Sequence, residues 1–182
     1  MNSILIVYSS HYGSTQRYAQ WIAEDLGVQA RDIRRVSREE IRSAKIVALG
    51  GGLYAGGVSG AKKLLSNVGE GQRVCVFTCG VADPKSEQNR AHIRAEFEKR
   101  LGERARGVEL FHVRGGLDYG KMSPVHRAMM AMMRRMLLSK PKEQRTSEDE
   151  QILATYGSRV DFVSRDQTAP IVEWIRQAAR SI

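Results

Sequence analysis

The stretch that decides the fold is ILIVYSSHYGSTQRYAQWIAEDLG, residues 4–27. Its first five residues form an unbroken apolar run, which is typical of a β-strand covered on both faces. Ala19, Ile22 and Leu26 follow at the spacing of an amphipathic helix. Between the two lies a loop rich in hydroxyl groups, with a single glycine, Gly13. The stretch therefore predicts a strand, a polar loop and a helix in direct succession.

The rest of the chain repeats this alternation. A weaker run at Val28–Ile33 predicts an edge strand, and three further runs predict buried strands: Lys45–Gly50, Val74–Thr78 and Val108–Val113. Helical spacing separates them, in the patterns Ala61/Leu64/Leu65/Val68, Ile93/Phe97/Leu101 and Ile171/Val172/Ile175/Ala178/Ile182. Strands alternating with helices predict right-handed βαβ units and a doubly wound α/β fold with a five-stranded parallel sheet.

Three helix starts have capping signals. Ser37 with Glu40 forms a capping-box pattern, and a charged helix is expected to begin near Ser86. Thr168 is the expected N-cap of the last helix, with Pro170 in its first turn.

Length and composition indicate one globular domain, residues 1–182. No apolar run has the length of a signal peptide core or a membrane span, so a cytoplasmic location is expected. Cys75 and Cys79 are too few for a disulfide framework and lack the spacing of a zinc site, so no metal is expected. The net charge of +9 is the unusual total, and it indicates an anionic partner.

The loop after the first strand has the composition of a phosphate cradle. Ser9, Ser10, Ser14 and Thr15 are able to donate hydroxyl hydrogen bonds, and Gly13 allows close approach of the backbone. The following helix offers free N–H groups and the positive end of its dipole. The alternative is a hydroxyl-rich turn that only caps the helix.

This S/T-x-x-G-x-T loop, with Ser10, Gly13 and Thr15, resembles the phosphate loop of flavodoxins. Two further loops, Gly50–Gly60 and Thr78–Pro84, follow strands in the places where that family holds its flavin ring. The resemblance implies a flavodoxin-like sheet of order 2-1-3-4-5 and FMN as cofactor. The first loop is not G-x-G-x-x-G, so no FAD or NAD fingerprint is present.

The resemblance also implies the cofactor-binding residues. Tyr54 is expected to stack on the flavin, the alternative being an exposed loop aromatic, and Cys79 is expected to pack in its loop without redox chemistry. The full set is Ser9, Ser10, His11, Tyr12, Gly13, Ser14, Thr15, Gly52, Leu53, Tyr54, Ala55, Gly56, Gly57, Thr78, Cys79, Gly80 and Val81.

Electron-carrier flavodoxins tend to be acidic near the flavin, and this chain departs from that pattern. The two ring loops contain one acid, Asp83. Nearby carboxylates disfavour a reduced flavin, which is anionic at N1. We therefore expect a less negative flavin potential than that of a low-potential carrier.

Residues 117–165 interrupt the alternation and predict an insertion before the last helix. Residues 119–147 hold seven basic side chains and one acidic one, and so carry six of the nine net positive charges. An apolar stripe at helical spacing consists of Val125, Met129, Met132, Met133, Met136 and Leu137. A basic helix with a methionine face suits an anionic membrane, a partner protein or a flexible apolar ligand, unless it packs on the sheet.

The part from Gly115 to Met136 resembles the menaquinone-dependent protoporphyrinogen oxidases in character. That resemblance implies an oxidoreductase of haem biosynthesis that passes electrons from a porphyrinogen to a membrane quinone through flavin N5, with no side-chain nucleophile. Lys121, Arg127, Arg134 and Arg135 would then bind substrate propionates or anionic lipid at the inner face of the membrane.

Other functions stay open. The main alternative is an electron carrier that is reduced by a partner reductase. GGLDYGKM, residues 115–122, resembles a P-loop, but Met122 stands where the magnesium-binding hydroxyl belongs. The clustered charge without stacking aromatics argues against nucleic acid. His11 and His126 are candidate proton carriers, the plainer alternatives being a loop backbone role and a surface position.

Overall fold

The computed structural model describes residues 3–54 and 56–182. Eight strands are present among them: β1 Ile4–Ser9, β2 Ala30–Asp32, β3 Ile46–Tyr54, β4 Gly57–Val58, β5 Arg73–Gly80, β6 Glu109–Arg114, β7 Gly116–Asp118 and β8 Arg159–Asp161. Five are parallel, in the order β2-β1-β3-β5-β6. Counting the parallel strands alone, this is the predicted order 2-1-3-4-5, and the doubly wound α/β fold is confirmed.

The helices are α1 Ser14–Leu26, α2 Arg38–Ser43, α3 Ala61–Leu65, α4 Glu87–Leu101, α5 Pro124–Ser139, α6 Ser147–Ala154 and α7 Ala169–Arg180. They divide the core into two layers, because successive strand residues point to opposite faces. On one face Ile6 and Phe77 pack with Ile22 of α1 and Ile175 of α7. The other face is covered by residues of α2, α3 and α4.

The capping predictions have different outcomes. Ser37 and Glu40 form the capping box of α2, and the Ser86 hydroxyl accepts the Asn89 N–H at the start of α4. Thr168 does precede α7, but its side chain does not cap the helix. A 3₁₀ turn at Arg165–Thr168 runs straight into α7, and the Thr168 hydroxyl donates back to the Arg165 carbonyl at 2.7 Å.

Two strands end two or more residues beyond the apolar runs that predict them. β3 continues to Tyr54 and β5 to Gly80, and Gly52 pairs with Cys79, so the segments predicted as loops from Gly50 and Thr78 begin as strand. Close packing explains the glycine at position 50. A Cβ built on Gly50 would meet Phe77 Cζ at 2.3 Å.

The segment between β6 and α7 contains a feature that no pattern indicated. β7 and β8 form an antiparallel ribbon, with Gly116 opposite Asp161, and the chain between them forms α5 and α6. Met122 and Leu137 are buried, at 8% and 3% exposure. The ribbon thus brings α5 over the carboxyl edge of the sheet. Across the described ranges, we find no helix with both the length and the apolarity that crossing a bilayer requires.

Candidate functional site

The loop between β1 and α1 is shaped to accept an anion. Gly13 adopts a left-handed φ of 93°, and a Cβ built on it would meet nothing within 4 Å. Within the described residues no side chain caps α1, so the first N–H groups of the helix face outward with the positive end of the dipole. This geometry is that of a phosphate-binding helix start.

The loop hydroxyls mainly fix the loop itself. Ser9 Oγ lies 2.7 Å from Ser59 Oγ, which joins the first loop to the second. Ser10 Oγ accepts the Gly13 N–H at 3.0 Å, and Ser14 Oγ accepts the Gly116 N–H at 3.3 Å. Because Ser10 and Ser14 act as acceptors here, their hydroxyl protons stay available to an incoming phosphate.

Four aromatic side chains from three separate segments meet beside this loop. The rings of Tyr54 and His126 stack with centroids 4.7 Å apart at an interplanar angle of 3°. His11 meets Tyr54 edge-on at 5.1 Å, and the Tyr12 hydroxyl is hydrogen-bonded to His126 Nδ1. Burial raises the pKa of Tyr54 to about 12, so its hydroxyl stays protonated. We call His11, Tyr12, Tyr54 and His126 the aromatic cluster. His126, for which a surface position was the plainer expectation, is half-buried in this cluster.

A cavity of about 500 Å³ opens beside the aromatic cluster, within the usual size range of ligand pockets. Ten of the predicted cofactor residues line it: Ser10, Tyr12, Ser14, Thr15, Gly52, Leu53, Tyr54, Cys79, Gly80 and Val81. The cavity thus extends from the phosphate loop along the ends of β3 and β5. This is the edge at which ligands bind in open α/β sheets.

Six other predicted residues lie outside the cavity lining: Ser9, His11, Gly13, Gly56, Gly57 and Thr78. Gly13 lies on a neighbouring cavity of about 330 Å³, against the β7–β8 ribbon. Thr78 is fully buried, with Oγ1 2.7 Å from His112 Nδ1. Gly56 and Gly57 face Arg100 of α4. Ala55, also predicted, falls outside the described residues.

The Cys79 thiol is buried near the end of strand β5, at 7% exposure, and not in a loop as predicted. Burial raises its pKa to about 12, so the thiol is neutral at physiological pH. A Cβ built on Gly115 would meet Cys79 Sγ at 2.9 Å, which accounts for glycine at that position. The thiolate is the reactive form of cysteine, so this thiol is a weak nucleophile, and the absence of a redox role for Cys79 stays a prediction.

The sequence did not identify the far wall of the cavity as part of the site. It consists of Gly115, Gly116, Leu117, Asp118, Met122, His126, Met129, Met130, Met132, Met133 and Met136. The methionine stripe of α5 therefore faces this cavity, and does not simply pack on the sheet. The signal was present, because GGLDYG follows the last strand, and the carboxyl ends of parallel strands meet at one edge.

The four predicted cations have different surroundings. Arg127 donates to the carbonyls of Tyr119 and Gly120, and the Arg134 guanidinium lies 5.0 Å from the Tyr156 ring centroid. Lys121 lines the neighbouring cavity at the phosphate loop. Lys121 and Arg135 are exposed, and neither has an ion-pair partner among the residues that the structure describes.

The fold and this edge define a class, the α/β proteins that hold a mononucleotide at the carboxyl ends of parallel strands. The family follows from comparison with known proteins. Residues 5–144 match the family model described as "Flavodoxin domain", and the chain belongs to that family. It is an FMN-binding redox protein. No curated protein sequence matches the chain.

Several solved structures are similar to this chain. Oxidised flavodoxin 2 from Bacillus cereus is 20% identical over 83% of this chain and 92% of its own, with a TM-score of 0.44. A flavodoxin from the domain Archaea is 14% identical over 65% and 87%, with a TM-score of 0.38. The rubredoxin oxygen:oxidoreductase from Desulfovibrio gigas is 14% identical over 92% of this chain but only 36% of its own, with a TM-score of 0.42. These likenesses are too distant to bear on function.

The residues present fit FMN. The Ser10 and Ser14 hydroxyls at one end of the cavity, with Gly13 and the uncapped start of α1 beside them, form an anion cradle. The cavity walls next to the cradle contain Gly52 and Gly80, which allow a planar ring to approach the backbone closely. Cys79, between them in space, is neutral and adds no charge. FMN is an elongated ligand with one anionic end and one planar apolar end, and the cavity has the same division.

Proposed function

We propose that the protein is an FMN-dependent oxidoreductase with a substrate of its own, of the protoporphyrinogen oxidase type that its α5 segment resembles. The observation that carries the proposal is the methionine wall of the cavity. A carrier needs only to expose the flavin edge to a partner, whereas here α5 extends the flavin cavity with the side chains of Met129, Met133 and Met136. Methionine adapts to large, irregular apolar ligands.

In this proposal each part of the site has its own role. FMN, once bound, supplies the electron chemistry at N5. The phosphate loop holds its anionic end, and Tyr54 contacts the ring system. The Ser9 hydroxyl holds the phosphate loop to Ser59 of the second loop, and the Thr78 hydroxyl holds the end of β5 to His112 of β6. The methionines exclude water and contact the apolar body of the substrate.

The free cations support an anionic group on the substrate. Arg127 and Arg134 have contacts inside the insertion, so Lys121 and Arg135 are the better donors toward a carboxylate. A porphyrinogen combines an apolar macrocycle with two propionates, which suits this arrangement. The same cations would favour an anionic membrane surface, where a quinone acceptor is dissolved.

The test is turnover by the FMN-loaded protein with protoporphyrinogen as donor and a menaquinone analogue as acceptor. Reduction of the bound flavin by the porphyrinogen and its reoxidation by the quinone would support the proposal. Arg135→Gln should raise KM for the porphyrinogen roughly 3–10-fold. This is the change expected from the loss of one charge-assisted hydrogen bond that is partly screened by solvent. Arg104→Gln, which removes an exposed cation after α4, is the matched control.

The second candidate is an electron carrier, because the family match reaches no further than an FMN-binding redox protein. Reduction by a flavodoxin reductase, with no reaction toward the porphyrinogen, would favour it. A potentiometric titration adds a separate criterion. The sparse acidic residues near the ring predict a less negative couple than that of an acidic carrier, although Asp118 also lines the cavity.

A further inference from the structure

The first turn of α5 is held to the phosphate loop through His126. The imidazole stacks on Tyr54, and its Nδ1 shares a hydrogen bond with the Tyr12 hydroxyl. The Ser123 N–H also donates to Tyr12 Oη, at 3.3 Å. The Tyr12 oxygen thus joins two points of the α5 start to the loop that receives the phosphate.

The stacking position of His126 is the one that a flavin ring would need. The Tyr54 ring lies against Gly52, where a Cβ would meet Cε2 at 2.6 Å, and His11 lies edge-on beside it at 5.1 Å. His126 lines the cavity and stacks on one face of the Tyr54 ring, with centroids 4.7 Å apart at an interplanar angle of 3°. A planar ligand that stacks on this face must displace the imidazole.

The rest of α5 is free enough to move if that contact opens. Among the described residues, its other side-chain hydrogen bonds remain inside the insertion, as those of Arg127 to Tyr119 and Gly120 do. Val125 and Met132 are 68% and 70% exposed. The buried anchor, Leu137, lies near the opposite end of the helix. A release at His126 would therefore tilt α5 about its C-terminal end.

We propose that His126 is a positioning residue that occupies the stacking face of Tyr54 until the isoalloxazine ring of FMN displaces it. Cofactor binding then releases the start of α5 from Tyr12 and moves the methionine wall. Access to the cavity thereby depends on the presence of cofactor. The inference rests on the proposed ring site at Tyr54.

The first test is a titration of the apoprotein with FMN, in which binding is measured by the quenching of flavin fluorescence. His126→Ala removes the competitor and should tighten FMN binding roughly 3–10-fold, the equivalent of one aromatic pair. Tyr12→Phe keeps the ring but removes the hydrogen bond, and should act in the same direction by a smaller factor. His92→Ala, on the exposed side of α4, should change nothing. Unchanged or weaker binding by His126→Ala overturns the proposal.

The second test is limited trypsin digestion, with cleavage after Lys121 and Arg127, at the start of α5, measured by mass spectrometry. Saturating FMN should accelerate this cleavage severalfold in the wild type. His126→Ala should be cleaved fast without FMN and gain little from it, whereas His92→Ala should follow the wild type. Cleavage that FMN slows or leaves unchanged in the wild type overturns the proposal.

The two tests separate this inference from the assignment beneath it. If the wild type binds FMN, but His126→Ala binds it no more tightly and FMN does not speed the wild-type cleavage, only the displacement of His126 is rejected. A wild-type protein that binds no FMN rejects the ring site itself. In that case the digestion of apo His126→Ala against apo His92→Ala still decides whether His126 fastens α5.

Discussion

The central sheet and helix α5 both present rows of large apolar side chains, but the sheet buries most of its row, whereas α5 fully buries only Leu137 among its described residues. Ile46, Leu49 and Phe77 are fully buried. On α5, Val125, Met132 and Met136 are 68%, 70% and 57% exposed. Apolar residues therefore serve two purposes in this chain. In the sheet they stabilise the fold, and in α5 they form the wall of a cavity and a surface that a ligand or partner can cover.

The largest expected effect is on the sheet. Phe77→Ala should lower the free energy of unfolding by about 3–5 kcal/mol, since it removes a fully buried aromatic side chain between the sheet and the layer of α1 and α7. Met132→Ala should change it by less than about 0.5 kcal/mol, because the side chain is mostly exposed. Urea unfolding followed by circular dichroism measures both. Similar losses would mean that α5 belongs to the cooperative core after all.

The sheet was predictable because its signals are local. Ile4–Tyr8 and Val74–Thr78 are continuous apolar runs, and each forms a parallel strand with both faces covered. The polar loop with Gly13 lies directly after the first run. Parallel topology then sends the ends of all such strands to one edge, so the cradle and the two ring loops could be placed without a structure.

The aromatic cluster could not be predicted in the same way. Tyr12 and His126 are 114 residues apart in the chain, and no spacing rule relates them. Their contact depends on the β7–β8 ribbon, whose strands have only three residues each and carry no readable alternation. The same ribbon brings Asp118 and Met122 to the cavity. Apart from GGLDYG, whose place after the last strand was a readable signal, the missed part of the site is thus the part built by long-range contacts.

The second effect is on alkaline stability. Burial raises the pKa of Cys79 to about 12 and that of Cys75 further still, so the folded protein keeps two thiol protons that the unfolded chain releases above its ordinary cysteine pKa of about 8.5. The unfolded state then binds fewer protons, and stability falls as pH rises. Between pH 9 and pH 10 the free energy of unfolding should fall by about 2–3 kcal/mol.

Urea unfolding at a series of pH values measures this slope, and Cys75→Ala serves as the control. The variant removes one of the two protons, so its slope should be about half that of the wild type. Tyr18 and Tyr54, whose pKa values burial also raises to about 12, add to the loss mainly above the ordinary tyrosine pKa of about 10. A slope unaffected by Cys75→Ala would contradict the assignment to the sheet thiols.

The third effect separates stability from binding at the cradle. Gly13 and Gly71 both have a left-handed φ, 93° and 77°, and a Cβ on either would meet nothing within 4 Å. Gly13→Ala and Gly71→Ala should therefore each cost about 1–2 kcal/mol of stability through backbone strain. Only Gly13→Ala should also weaken FMN binding, as measured by flavin fluorescence. If the two variants bind FMN with equal affinity, the phosphate does not bind at this loop.

The smallest effect compares two helix caps of the same chemistry. Ser37 caps α2, whose Ile41 is fully buried, so Ser37→Ala should lower the free energy of unfolding by about 1 kcal/mol. Ser123 caps α5 by accepting the His126 N–H at 3.3 Å. Ser123→Ala should leave global unfolding unchanged and instead speed amide hydrogen exchange in the first turn of α5, because that turn opens without the core. Exchange mass spectrometry with urea unfolding of both variants tests the contrast. If both variants lower the free energy of global unfolding, α5 unfolds together with the sheet and its first turn does not open separately.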